Sequence, residues 1–266
     1  MNPALLSSLA ALLYLAAAGD EFRKYRLGQD QRSHTFIALV TLGLIVHWAA
    51  AATAIGVEHD VWTFSLGAVS SLGASMVALC VLYLRWRQPL NLMLLPLILL
   101  IAVITGLSLL NASGGRVITS SIGMGAHIVL SLAAFAVLFI GGVQALLLGV
   151  QNHALKTRQL RYLNLLPPIT RMERLLFDLI SAGWILLSAA LASGWLFVDD
   201  LFAQHLAHKT VLSLLAWALF AGLLIGRRTY GWRGFTAAAW TLAGFGVLLL
   251  GTLGTKFILE IVLERV

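Results

Sequence analysis

The sequence predicts an all-α protein, a polytopic transmembrane helix bundle of about eight spans with both termini on the outer side. Three observations predict it. Hydrophobic residues make up 60% of the chain and charged residues only 11%, whereas a soluble domain carries about 25% charge. Apolar stretches repeatedly reach the roughly 18 residues that a membrane-crossing helix needs. The basic residues concentrate in alternate loops, the pattern left by oriented insertion. In a soluble protein the net charge of +7 would point to nucleic acid. Here topology accounts for it, so the expected partner is the lipid bilayer and no nucleic acid.

Taken in order, the first apolar stretch covers 3–19. It has no basic residues ahead of it and Asp20-Glu21-Phe22-Arg23-Lys24 behind it, which predicts an uncleaved span with its acids beyond the span end. The second, 36–56, contains His47. The third, 62–84, contains Cys80, the single cysteine. One cysteine excludes an intrachain disulfide and any CxxC or CxxCH site, and Cys80 reads as a small buried hydrophobe. The fourth is 91–110. The fifth, 122–150, is long enough that it must tilt or project. Leu166-Pro167-Pro168 then stops the helix pattern. The last three are 175–197, 208–226 and 235–260. Gly222 and Gly226 form a GxxxG pair, and Gly244, Gly251 and Gly254 thin the final helix, spacing that lets helix backbones approach closely in lipid. No connection is long enough for a soluble domain, so residues 1–266 form one integral-membrane domain.

Orientation follows from the loops. One set holds Arg23, Lys24, Arg26 and Arg32; Arg85 and Arg87; Lys156, Arg158, Arg161, Arg171 and Arg174; and Arg227, Arg228 and Arg233. The other holds only Arg116, Lys209, Lys256 and Arg265. The positive-inside rule places the first set in the cytoplasm. Most of the tryptophans fit an aromatic belt at the membrane surfaces. There is no Walker motif, no HExxH and no glycine-rich phosphate loop, so chemistry has to sit within the bundle or at its outer rim.

The candidate functional residues are histidines. A histidine inside a membrane helix is costly and needs a partner, which haem iron can supply. His47 lies nine residues from Gly56, about 13 Å in at 1.5 Å per residue. His127 lies roughly 8 Å into the fifth span from the same outer side. His59, His205 and His208 fall in outer loops. Two histidines on facing helices can serve as axial ligands. A hydrogen bond to a neighbouring helix is the alternative for His47 and His127, and simple solvation the alternative for the loop histidines.

Three blocks resemble a known family. They are Gly125-Ala126-His127-Ile128-Val129-Leu130-Ser131-Leu132; Leu166-Pro167-Pro168 with Met172-Glu173-Arg174-Leu175-Leu176-Phe177; and His208 to Trp217 followed by Gly231-Trp232-Arg233-Gly234 and Gly254-Thr255-Lys256-Phe257. In that order they resemble the integral-membrane cytochrome c assembly family (CcsA/HemX-like), in its HemX-like and YpjD-like inner-membrane branch. The resemblance implies haem as cofactor, held near the outer face. It makes His127 and His47 the expected iron ligands, with His59 and His208 as further cofactor-binding candidates. It also implies a multi-pass protein of the bacterial inner membrane, with haem-delivery or cytochrome-assembly proteins as possible partners.

The chain departs from the family's full haem-handling members. Its outer segment, Gly194-Trp195 to His205, has one tryptophan rather than a WGxxWxWD run. Ile225-Gly226-Arg227-Arg228 stands where a histidine is expected. This favours an assembly or haem-handling factor over an enzyme with a complete synthase motif. Two other readings stay open: a non-haem scaffold or regulator linked to tetrapyrrole metabolism, and a small-molecule or metal transporter. The spans are expected to carry no paired carboxylates, which weighs against a proton-coupled transporter.

Overall fold

A computed structural model describes residues 3–27, 34–54, 56–58, 61–87, 91–107, 116–119, 122–157, 167–197 and 207–251. All eight expected helices are present: α1 (Pro3–Arg26), α2 (His34–Ala54), α3 (Leu66–Arg87), α4 (Asn91–Leu107), α5 (Ile122–Lys156), α6 (Ile169–Phe197), α7 (Ala207–Tyr230) and α8 (Gly234–Leu249). Six of them are long and apolar enough to cross a membrane; α4 and α8 are shorter apolar helices. The chain divides into two compact units, Met1–Gly125 and Ala126–Val266.

In the first unit α1 packs against α2 and α4, and α3 packs against the same two helices. The buried stripe of α1 is Leu6, Ala10, Tyr14, Ala17 and Ala18, a three- and four-residue repeat that keeps one face toward its neighbours. Close approach is needed at Gly43, where a Cβ would sit 3.0 Å from the Tyr14 ring. α1 runs on past the expected end at residue 19. Asp20 meets Lys24 at 2.9 Å and Arg23 at 3.4 Å, pairs one turn apart that support the last helical turns. Asp20 and Glu21, expected beyond the span, are therefore part of α1, and both are buried.

A small antiparallel sheet was not anticipated. β1 (Gly56–Glu58) pairs with β2 (Val61–Ser65), and β2 pairs with β3 (Arg116–Thr119). The third span was expected to begin at residue 62. Instead Val61-Trp62-Thr63-Phe64-Ser65 is a strand, rich in the β-branched and aromatic residues that favour one, and the helix starts at Leu66.

The second unit joins α5 to α8 through close contacts at glycines. A Cβ on Gly183 would meet Leu138, one on Gly142 would meet Phe245, and one on Gly244 would meet Phe220. Trp184 on α6 stacks on Trp217 of α7 with centroids 5.4 Å apart, and the Trp217 Nε1–H donates to Ser188 Oγ at 2.8 Å. α5 has 35 residues, about 52 Å at 1.5 Å per residue, so it outruns a hydrocarbon core of about 30 Å. α6 starts at Ile169, six residues before its expected start at 175. The Pro168 carbonyl accepts from the Arg171 and Met172 amides, so the first turn winds directly off the prolines. α7 turns into α8 through Gly231 and Gly234, at φ 67° and 58°, backbone that side-chain-bearing residues adopt reluctantly.

Candidate functional site

His127 lies in the second turn of α5 and faces the C-terminal end of α6. Its Nδ1 is 3.0 Å from the Ala190 carbonyl oxygen and 3.1 Å from Ser193 Oγ. A carbonyl can only accept, so Nδ1 carries the proton and donates. Ser193 Oγ donates to that same carbonyl at 2.8 Å, which fixes the local frame. Neutral imidazole then keeps its lone pair on Nε2, and among the described residues no hydrogen bond reaches that atom. The ring is half-buried and lies over Gly194, where a Cβ would be 3.0 Å from its Cε1. A backbone carbonyl bonded to one imidazole nitrogen is the arrangement that orients metal-ligating histidines through the other. The donor chemistry here fits an axial haem ligand.

His47 is held differently. It is fully buried in the first unit. Its Nδ1 is 3.3 Å from the Tyr14 hydroxyl on α1, and its Nε2 is 2.7 Å from Ser71 Oγ on α3. Both nitrogens are occupied whichever tautomer forms. To ligate iron, His47 would have to give up one bond and open its surroundings. The Tyr14 ring also meets the imidazole edge-on at 5.9 Å.

His208 is exposed at the start of α7. That is the same end of the second unit as His127, because α5 and α7 both run antiparallel to α6. His59 and His205 lie outside the described residues. Among the described residues no three His, Cys, Asp or Glu side chains gather to hold a metal ion. Haem iron asks the protein for only one or two axial donors. Trp195, next to Gly194, is 81% exposed.

Two arrangements escaped the sequence reasoning. In the first unit Glu21 of α1 and Arg85 of α3 are 3.4 Å apart with side chains 3% and 1% exposed, and the Arg85 guanidinium lies over Phe36 at 5.6 Å. Asp20-Glu21 and Arg85 read as loop residues near span ends, so nothing local signalled that they meet. In the second unit Glu173 Oε1 accepts from the Gly234 amide at 2.7 Å. This joins two separate motif blocks, Met172-Glu173-Arg174 and Gly231-Trp232-Arg233-Gly234. Trp232 packs flat on Gly226 and 4.9 Å from Trp240.

The family model described as "Cytochrome C assembly protein" matches residues 64–263. The chain belongs to the cytochrome c assembly protein family. Inner membrane protein YpjD of Escherichia coli K12 is 33% identical over 140 residues, 53% of each chain, so this chain spans about half the length of that relative. An uncharacterised 28.8 kDa protein of Azospirillum brasilense is 30% identical, over 99% of this chain and 100% of its own. A Prochlorococcus marinus protein named cytochrome c biogenesis protein CcsA is 28% identical over 33% of this chain and 29% of its own. No solved structure matches. The family match takes in the whole second unit's described helices but starts after α1 and α2, so Tyr14, Glu21 and His47 lie outside it.

Proposed function

We propose that this family member is a haem-binding protein of the bacterial inner membrane that holds haem near the outer face for cytochrome c assembly. Haem supplies an iron that takes axial nitrogen ligands. His127 is the residue proposed to hold it, through Nε2. The observation that carries the reading is the Nδ1–H···O=C bond to Ala190, which fixes the tautomer and leaves Nε2 as the donor. Ser193 positions the same carbonyl, and Gly194 leaves room for the ring. His208, at the same end of the unit, is the second histidine that would help hold haem, ahead of His47 with its two nitrogens engaged. His59 retains only its sequence-based candidacy. The loops rich in arginine and lysine face the cytoplasm in this reading, and both termini face outward.

Haemin titration of the detergent-purified full chain tests the proposal. Saturable binding near one haem per chain, lost in His127→Ala with helix content and elution volume unchanged, supports it. Equal binding by wild type and His127→Ala overturns it. Ser193→Ala, a milder change, should weaken binding without removing it, which keeps the test decisive if His127→Ala fails to fold.

A further inference from the structure

The second unit carries a cationic rim at the end where α5 and α7 finish and α6 and α8 begin. Lys156, Arg171, Arg174, Arg227, Arg228 and Arg233 are all exposed there. Among the described residues none of the six is ion-paired with a carboxylate. The acids nearest in sequence, Glu173 and Asp178, do not change this. Glu173 accepts from the Gly234 amide, and Asp178, one turn from Arg174 on α6, forms no ion pair among the described residues.

In the first unit three cations are ion-paired, although exposed Arg26 has no ion pair among the described residues. Arg23 and Lys24 both meet Asp20, and Arg85 meets Glu21. Positive-inside insertion asks only that basic residues lie on one side; it does not ask that they stay unpaired once folded. Aromatic groups accompany the rim. The Arg227 guanidinium lies 3.6 Å from the Phe177 ring centroid, and Lys156 Nζ is 5.8 Å from that of Phe235. Tyr230, 78% exposed, stacks on Trp232. Exposed Ile225 and Phe235 continue the surface with apolar side chains. Charge for a phosphate, aromatic rings for a headgroup level and apolar surface for acyl chains occur together.

We infer that this rim binds the headgroup of an anionic phospholipid, with Arg171, Arg174, Arg228 and Arg233 as the phosphate-facing cations. Arg227 is the anchor that stays stacked on Phe177. The site does not depend on haem and lies at the end of the unit opposite His127. Basic clusters at the cytoplasmic ends of membrane helices attract acidic lipid in this way.

The test uses the detergent-purified full chain, titrated with phosphatidylglycerol or phosphatidylcholine and followed by native mass spectrometry and thermal unfolding. Phosphatidylglycerol should be retained and raise the unfolding midpoint more than phosphatidylcholine. The quadruple variant Arg171→Gln/Arg174→Gln/Arg228→Gln/Arg233→Gln should lower its apparent affinity by roughly two to three orders of magnitude, at about fivefold per cation. Arg23→Gln, at an ion-paired position in the first unit, should leave it within a factor of about two. Should the quadruple variant misfold, salt decides: wild-type preference for phosphatidylglycerol should shrink in high salt as exposed charges are screened. Equal response to the two lipids, or a preference that salt does not reduce, overturns the inference and leaves an acidic soluble protein as the rim's occupant.

Discussion

Gly194→Ala probes the proposed haem-binding geometry without changing His127 itself. The added Cβ would lie 3.0 Å from His127 Cε1 and 3.4 Å from Nδ1. Comfortable carbon contacts are about 3.5–4.0 Å, so the imidazole must recede by roughly half an ångström. It cannot do so freely, because Nδ1 is tied to the Ala190 carbonyl at 3.0 Å, and half an ångström carries that bond out of the normal hydrogen-bond range. Overpacking costs about 1–3 kcal/mol. Alanine recovers up to about 1 kcal/mol over glycine within a helix. The net expectation is a loss of about 0–2 kcal/mol in stability, but a larger effect on ligation. Disturbing the group that orients a metal-ligating histidine typically lowers affinity about 10–100-fold. Gly149→Ala on α5, where a Cβ meets nothing within 4 Å, is the control and should be neutral or stabilising. Denaturant unfolding and haemin titration of both variants provide the readout. If Gly194→Ala matches Gly149→Ala in stability and binds haemin like wild type, the ring does not sit where this account requires.

In the first unit, Glu21→Leu or Arg85→Met alone should destabilise by about 3–5 kcal/mol, because each leaves a buried charge behind, while the double variant should recover much of the loss; a double-mutant cycle in detergent unfolding measures this. Glu173→Ala should cost about 1.5–3 kcal/mol through loss of a charged acceptor for the Gly234 amide, and Glu173→Gln should retain part of it by the same assay. Tyr14→Phe and Ser71→Ala should each cost about 1–3 kcal/mol for an unsatisfied buried nitrogen and leave haemin affinity unchanged in titration. A drop in haemin affinity in either variant would bring His47 back into the ligand set.

Helix number and order were legible because apolar stretches of membrane-spanning length are a strong one-dimensional signal. Ends were less legible where pairing decides them. The Asp20 pairs extend α1, the carbonyl of Pro168 starts α6 early, and β3, more than fifty residues downstream, holds 61–65 as a strand. His127 could be singled out from its place in an apolar helix, but its tautomer could not, since that depends on the Ala190 carbonyl of another helix. His47 carried the same local signal and received different partners. Tyr14 and Ser71 are ordinary in sequence and become informative only when α1 and α3 bring them to opposite nitrogens of one ring. The Glu21–Arg85 pair was invisible for the same reason: each residue resembles a span-end charge until the fold closes around both.

The measurement that bears most directly on the central claim is a reduced-minus-oxidised absorption spectrum of the full chain purified after expression with ample haem, compared with His127→Ala and His47→Ala. Wild type is expected to show a haem band near one per chain, retained in folded His47→Ala and absent in folded His127→Ala. A band that survives in His127→Ala, or no haem in wild type even after haemin is added, would contradict it.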